Sequence, residues 1–279
     1  MKPLPFWKVQ SVGNDFVLVH ASDFPAELPL DLLAEQVCHR RFGIGSDGLL
    51  VVEGNTLRMF NPDGTEDFCG NGLRCAADHA YAQGWIGRTA AMQHGGLEIE
   101  VSVLETGEIC TVLPPASFDP DRVPHRGDGE IFNFALPLED DFDIMVSSLT
   151  TGSTHTVVPI DEWPEDGFFE DVSAAIEDHF LFPDRTSVIW LMPTGDRQLS
   201  VRIYERGVGE TLGCGSGAAA AIVFWVRQTG EAGNYEVVSP GGSLHVQIDA
   251  WDGPISLTGR AETVFTGEID PDCLVQPED

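Results

Sequence analysis

The sequence is poor in positive charge. Two lysines, Lys2 and Lys8, stand in 279 residues, and 15 lysines and arginines together face 45 aspartates and glutamates, for a formal net charge of −30. A field of that sign repels phosphate backbones and anionic lipid heads, which excludes nucleic acid and membrane surfaces as partners. The carboxylates are scattered among apolar strands rather than gathered in a block, so they do not describe an acidic tail. A carboxylate-rich, lysine-poor surface stays hydrated in concentrated salt, and the composition points to a halophilic cytoplasm. Long hydrophobic runs are missing too. Nothing approaches the ~20 apolar residues that cross a bilayer, and the N-terminus has neither an h-region nor a cleavage site. A soluble, cytoplasmic protein is expected. No C-x-x-C pair occurs among Cys38, Cys69, Cys75, Cys110, Cys214 and Cys273, which in a reducing compartment read as thiols rather than a disulfide framework.

What is present is glycine (30 residues), proline (18) and short β-branched runs, the composition of a loop-rich mixed α/β (α+β) chain. Its length suits one large domain or two of roughly 130–140 residues. Strands are expected near Trp7–Gln10, Phe16–His20, Leu49–Val52 and Leu57–Phe60. Helices are expected near Leu30–His39, Gly72–Gln83, Ser173–His179 and Gly217–Arg227. Four prolines in the stretch Pro114–Gly129 mark it as an interdomain linker.

The chain also repeats itself. Phe60-Asn-Pro-Asp-Gly-Thr-Glu-Asp-Phe-Cys69-Gly-Asn-Gly72 leads into a helix-forming stretch, and so does Tyr204-Glu-Arg-Gly-Val-Gly-Glu-Thr-Leu-Gly-Cys214-Gly-Ser-Gly217. A Gly-Gly pair follows each cysteine, Gly95-Gly96 at an offset of 26 residues and Gly241-Gly242 at 27. Each pair opens a strand with period-2 alternation, Leu97–Val103 and Leu244–Ile248. Three matched features in the same order point to two similar domains.

A cysteine just before a helix start, followed by glycines, is a chemical device. The helix N-terminus carries partial positive charge and backbone N–H groups. Glycine lets a carboxylate approach those amides, and the same field favours thiolate. Two such devices at one site would grip an α-carboxylate and set a sulfur on each face of its Cα. That suits 1,1-proton transfer, with backbone donors stabilising the carbanion. Other readings fit less well. Cys38, Cys110 and Cys75 read as small core side chains. Cys69 and Cys75 do not have the spacing of a closed zinc site, and no metal is expected. No Gly-Lys-Ser/Thr accompanies either loop. Gly43-Ile-Gly-Ser-Asp-Gly48 matches Gly-x-Gly-x-x-Gly, but it follows a helix and precedes a strand, the reverse of the dinucleotide-binding order.

Over nearly its whole length the sequence resembles diaminopimelate epimerase. The resemblance is carried by Val12-Gly-Asn-Asp-Phe16, Arg41-Phe-Gly-Ile-Gly-Ser-Asp-Gly48, Asn61-x-Asp-Gly-(x)4-Cys69-Gly-Asn-Gly-x-Arg74 and Glu205-Arg-Gly-x-Gly-Glu-Thr-x-x-Cys214-Gly-x-Gly217. It implies two pseudo-symmetric domains, each a strand barrel around a central helix, with the active site in the cleft between them. On this reading residues 1–117 form the N-terminal domain, 118–261 the C-terminal one, and a last strand within about 262–279 returns to the first. It implies an isomerase without cofactor, interconverting LL- and meso-2,6-diaminopimelate in lysine biosynthesis. Its partner is a small amino-acid substrate, and a homodimer is compatible with it. Cys69 and Cys214 become the acid–base pair. Gly70, Asn71, Gly215 and Ser216 give amides to the reacting carboxylate. Asn14, Asn61, Glu205 and Arg206 address the substrate, with Arg206 suited to a distal carboxylate, and His155 matches a site-lining histidine. The family carries Gly-Asn-Pro-His where this chain has Gly152-Ser153-Thr154-His155, and Arg-Thr-Asn where it has Arg185-Thr186-Ser187. Ser153 and Ser187 thus fall where the substrate's distal end is recognised. They leave open a related cofactor-independent racemase or epimerase of another amino acid. Retention of both cysteines and of Glu205-Arg206 argues against a non-catalytic carboxylate-binding protein.

Overall fold

The computed structural model describes residues 3–24, 29–138 and 142–270; Cys273 lies outside them. The chain divides into two compact units, Met1–Thr111 with Gly259–Asp279, and Val112–Thr258.

In the first unit β1 (Leu4–Ser11) and β2 (Asn14–His20) form an antiparallel hairpin with Ser11 opposite Asn14. Its two-residue turn, Val12-Gly13, has both φ angles positive (47° and 78°), as the right-handed twist of paired strands favours. After α1 (Leu30–Cys38), β3 (Gly48–Glu53) runs parallel to β2 and antiparallel to β4 (Thr56–Phe60). After α2 (Gly70–Ala82), β5 (Thr89–His94) runs parallel to β4 and antiparallel to β6 (Leu97–Val103). β2 and β3 are covered by α1 and α2. That is why Phe16-Val-Leu-Val19 and Leu49-Leu-Val-Val52 are unbroken buried runs rather than alternating ones.

After β7 (Ile109–Leu113) the second unit repeats this wiring. β8 (Phe134–Pro137) precedes β9 (Asp143–Thr150), which is antiparallel to β10 (Thr154–Pro159). After α3 (Asp166–Glu177), β11 (Ser187–Gly195) is parallel to β10 and antiparallel to β12 (Gln198–Glu205). A short β13 (Gly209–Thr211) and α4 (Gly215–Thr229) follow. Then β14 (Gly233–Ser239) runs parallel to β12 and antiparallel to β15 (Gly242–Ile248). β16 (Ile255–Gly259) leads to β17 (Glu262–Ile269), which pairs antiparallel with β1, Leu4 opposite Ile269.

Each unit is built around one helix. α2 packs against β1, β2, β3, β4 and β6, and α4 against β9, β10, β11, β12, β14 and β15. Leu73, Ala76, Ala77 and Ala80 of α2 and Ala218–Phe224 of α4 are buried. α4 is apolar around most of its circumference, as a helix enclosed by strands must be, whereas α2 also buries Asn71, Arg74 and His79; alanine in both lets the strands come close. Both helices start two residues before the expected glycines, so that Cys69 and Cys214 are themselves the N-cap residues.

Two expectations are corrected. α3 begins at Asp166, seven residues before the expected Ser173. Gly167 weakens the local signal, but burial of Phe169, Val172 and Ile176 on one face decides it. Trp190 on β11 also donates to Ser173 at 2.9 Å. The stretch 114–129 is not a free tether. Phe118 and Val123 are buried, and Ser117 exchanges backbone hydrogen bonds with Thr150. Among the described residues no helix is long and apolar enough to cross a membrane.

Candidate active site

In the first unit Cys69 has extended backbone (φ −137°, ψ 113°) and caps α2, its sulfur accepting the Gly72 N–H at 3.3 Å. The sulfur therefore lies at the positive end of the helix dipole. Asn14 Oδ1 lies 3.8 Å from Sγ and also accepts from Asn71 Nδ2 at 3.2 Å. Which way the Asn14 amide points is determined behind it. Its Nδ2 donates to Asp47 at 2.8 Å, and a carboxylate only accepts, so Oδ1 must face the cysteine. Asp47 is held in turn by Arg40 (2.6 Å) and the Asp15 amide (3.1 Å). Burial works to raise the Asp15 carboxyl, but its bonds to Arg40 and Lys8 outweigh that and hold it below the usual range. Asn71 accepts from the buried Arg74, which also donates to Ser11 at 3.1 Å. The Val12-Gly13 turn places Asn14 in this group. Asn61 lies in its own turn, where its amide donates to Thr65 at 3.1 Å.

In the second unit Cys214 caps α4 with nearly the same backbone (φ −132°, ψ 122°). Its sulfur is 3.3 Å from the Ser216 hydroxyl, and the Ser216 carbonyl accepts from Thr151 at 3.0 Å. The third residue of each helix is a glycine for a packing reason. A Cβ on Gly72 would sit 2.9 Å from Leu50 Cδ2, and one on Gly217 2.8 Å from Ile189 Cδ1. Gly70, where a Cβ would meet nothing within 4 Å, leaves open space beside Cys69.

A further group forms at the ends of β10, β11 and β12. His155 lies opposite Ser187 in the parallel ladder. Ser187 Oγ accepts the Arg206 N–H at 3.1 Å, and Ser153 Oγ is 3.1 Å from His155 Nε2. His155 is buried, and burial, with the nearby Arg206 charge, lowers its pKa to about 3. Arg206 itself is exposed and donates to the Asp184 carbonyl at 3.1 Å. The next amide, Gly207, donates to the buried Glu177, which also pairs with Arg185. Glu205 accepts from Thr211 at 2.6 Å.

Cys38 and Cys75 belong to the core. Burial pushes the Cys38 thiol up to about 11, and Cys75 is also raised by burial. Cys110, expected inside, is half-buried. Sequence reading did not pick out Asp47, Thr151, Thr211 or Glu177 as neighbours of the site. Asp47 and Thr211 stood in quoted motifs, whereas Thr151 and Glu177 carried no signal.

Two units of the same wiring, each around a cysteine-capped helix, define a two-domain α/β fold of mostly strands. The same fold is seen in a hydroxyproline epimerase from Agrobacterium vitis solved with trans-4-OH-L-proline, at a TM-score of 0.68 and 12% identity, covering 98% of this chain and 94% of that one. The sequence matches the diaminopimelate epimerase family over residues 6–112 and 147–264, and the chain belongs to that family of isomerases. Among its relatives, the diaminopimelate epimerase of Desulforapulum autotrophicum is 32% identical over 281 residues (95% of this chain, 99% of the relative). That of Desulfitobacterium hafniense is 34% identical over 282 residues (96% and 98%).

Proposed function

We propose that the chain interconverts LL- and meso-2,6-diaminopimelate in lysine biosynthesis, by proton transfer between Cys69 and Cys214 and without pyridoxal phosphate. The observation that carries this reading is the duplicated device, a cysteine in extended conformation capping the buried helix of each unit. First-turn amides of Gly70, Asn71, Gly215 and Ser216 receive the α-carboxylate. One sulfur, as thiolate, takes the α-proton, and the electron pair passes into the carboxylate-conjugated carbanion. The other, as thiol, returns a proton to the opposite face. Asn14 and Asn61 address the reacting end, while Glu205, Arg206 and His155 serve the distal one. Lysine chemistry supports independence from pyridoxal phosphate, since that cofactor is carried as a lysine Schiff base. The Lys8 ammonium is engaged by Asp15 and the Gly45 carbonyl, and Lys2 lies outside the described residues.

Ser153 and Ser187 favour a second reading, a racemase of another amino acid. Their hydroxyls are engaged by His155 and the Arg206 amide, so they offer the distal end less than asparagine amides would. Deuterium incorporation at Cα in heavy water, over a panel of amino acids, decides between the two. Exchange into diaminopimelate, lost for the most part in Arg206→Met, is the expected result. Exchange only into a mono-carboxylic amino acid would establish the racemase.

The acidic surface is read as an adaptation to salt, which shortens the Debye length from ~30 Å at 0.01 M to ~3 Å at 1 M. The melting temperature should rise with KCl from tens of millimolar to molar; a flat or falling curve would remove the halophile reading.

A further inference from the structure

His94 ends β5 and is 2% exposed. The Cys69 backbone N–H donates to its Nε2 at 2.9 Å, and its Nδ1 lies 3.2 Å from the Leu57 carbonyl. An amide only donates and a carbonyl only accepts, so the ring is neutral with its proton on Nδ1. Phe68, the residue before Cys69, stacks on it with centroids 4.8 Å apart at 26°.

These contacts complete a known pattern in an unusual way. In a capping box the N-cap side chain accepts from the N3 amide, and the N3 side chain reaches back to the N-cap amide. α2 has the first half, Gly72 N–H to Cys69 Sγ. Its N3 residue is Gly72, which has no side chain and would press on Leu50 if it gained one. We infer that His94 supplies the second half from another strand and is thereby a positioning residue for Cys69, holding its backbone extended so that the sulfur stays at the helix start. This rests on the reading of Cys69 as an acid–base group. The second unit is tied differently. The residue before its Gly-Gly pair is Pro240, and the Gly241 N–H reaches the Leu212 carbonyl at 2.7 Å.

The ring's surroundings keep it an acceptor. Burial lowers its pKa, against the bond to Leu57 and the carboxylates of Glu66 and Asp67, and the N–H that Cys69 donates to Nε2 favours the neutral ring. Arg58, the cation nearby, is paired with Glu66 at 2.8 Å. All four side chains line a cavity of about 560 Å³, which leaves room for a glutamine in place of the imidazole.

The test compares His94→Leu, which removes the acceptor, with His94→Gln, which keeps one, in the full chain. Two quantities are read: kcat and KM for diaminopimelate, and the pH-dependent rate of iodoacetamide alkylation at Cys69 and at Cys214 by mass spectrometry. His94→Leu should lower kcat at least about tenfold with KM changed less than about threefold. It should also shift Cys69 alkylation at least about threefold while leaving Cys214 as in the wild type. His94→Gln should stay within about threefold of the wild type in both readouts. Equal Cys69 profiles in the two variants, or a wild-type profile in His94→Leu, would overturn the inference. If His94→Leu does not fold, His94→Met takes its place. Alkylation is read without turnover, so a wild type inert toward diaminopimelate would defeat the functional reading while the His94 comparison still gave its own answer.

Discussion

The Cys69 and Cys214 helix starts share a backbone geometry but not a wiring. Their φ and ψ angles agree within 10°, and both third helical positions are glycines pressed by an aliphatic side chain of a neighbouring strand. Around Cys69 the ties are polar side chains in series, Arg40 to Asp47 to Asn14, and His94 to the cysteine amide. Around Cys214 they are hydroxyls and backbone, with Ser216, Thr151 and the Gly241–Leu212 bond. Topology alone therefore sets each sulfur at a helix N-terminus, and the supporting contacts were free to diverge. The charged ties of the first unit are the stronger kind.

The largest effect expected from this comparison is also the one that could break it. If the two devices act as one acid–base pair, Cys69→Ala and Cys214→Ala should each lower epimerisation about 10³-fold or more, measured by α-proton exchange. Cys38→Ala and Cys110→Ala should stay within about twofold. Near-native turnover in either catalytic variant would mean that one device works alone.

Acid should act on both units through buried histidines. Burial lowers His79 to about 4 and, with Arg206, His155 to about 3. A histidine whose folded pKa lies below its unfolded 6.5 stabilises the fold above 6.5. That contribution is withdrawn as pH falls from 6.5 toward the folded value, because only the unfolded chain then takes up the proton. His79 alone would cost about 3 kcal/mol by pH 4. Melting temperature should fall steadily from pH 7 to 4.5, and a level curve would show that these rings are not held neutral. Replacing His79 by phenylalanine should remove its own share and leave those of His94 and His155.

A smaller effect would sharpen the contrast in wiring. Asp47→Asn adds an amide donor and frees the Asn14 side chain to turn its own donor toward Cys69, so kcat should fall about tenfold, roughly the value of one charged hydrogen bond. Thr151→Val removes only a neutral bond to the Ser216 carbonyl and should cost about threefold or less in kcat. Equal losses would mean the two loops are supported to the same degree after all.

Much of this arrangement was legible in the chain. The two Cys-Gly-x-Gly segments announced their helix starts because capping and dipole effects depend on consecutive residues. Phe16–His20 and Leu49–Val52 read as strands because β-branched and apolar runs carry their own signal. α3 was placed seven residues late because Gly167 obscures its start, while the burial of Phe169 that decides it comes from β11 and β12. The prolines of 114–129 suggested an interdomain linker, and only the burial of Phe118 and Val123 shows a packed segment.

The sequence by itself determined the family, the duplication and the two sulfur-bearing helix starts, since each is written in contiguous residues with a local physical meaning. Tertiary structure alone decided which side chains steady those starts. His94 reaches the Cys69 amide across 25 residues and Asn14 reaches Asp47 across 33. Such bonds leave no local mark, because their partners become neighbours only when parallel strands and a buried helix bring them within 3 Å.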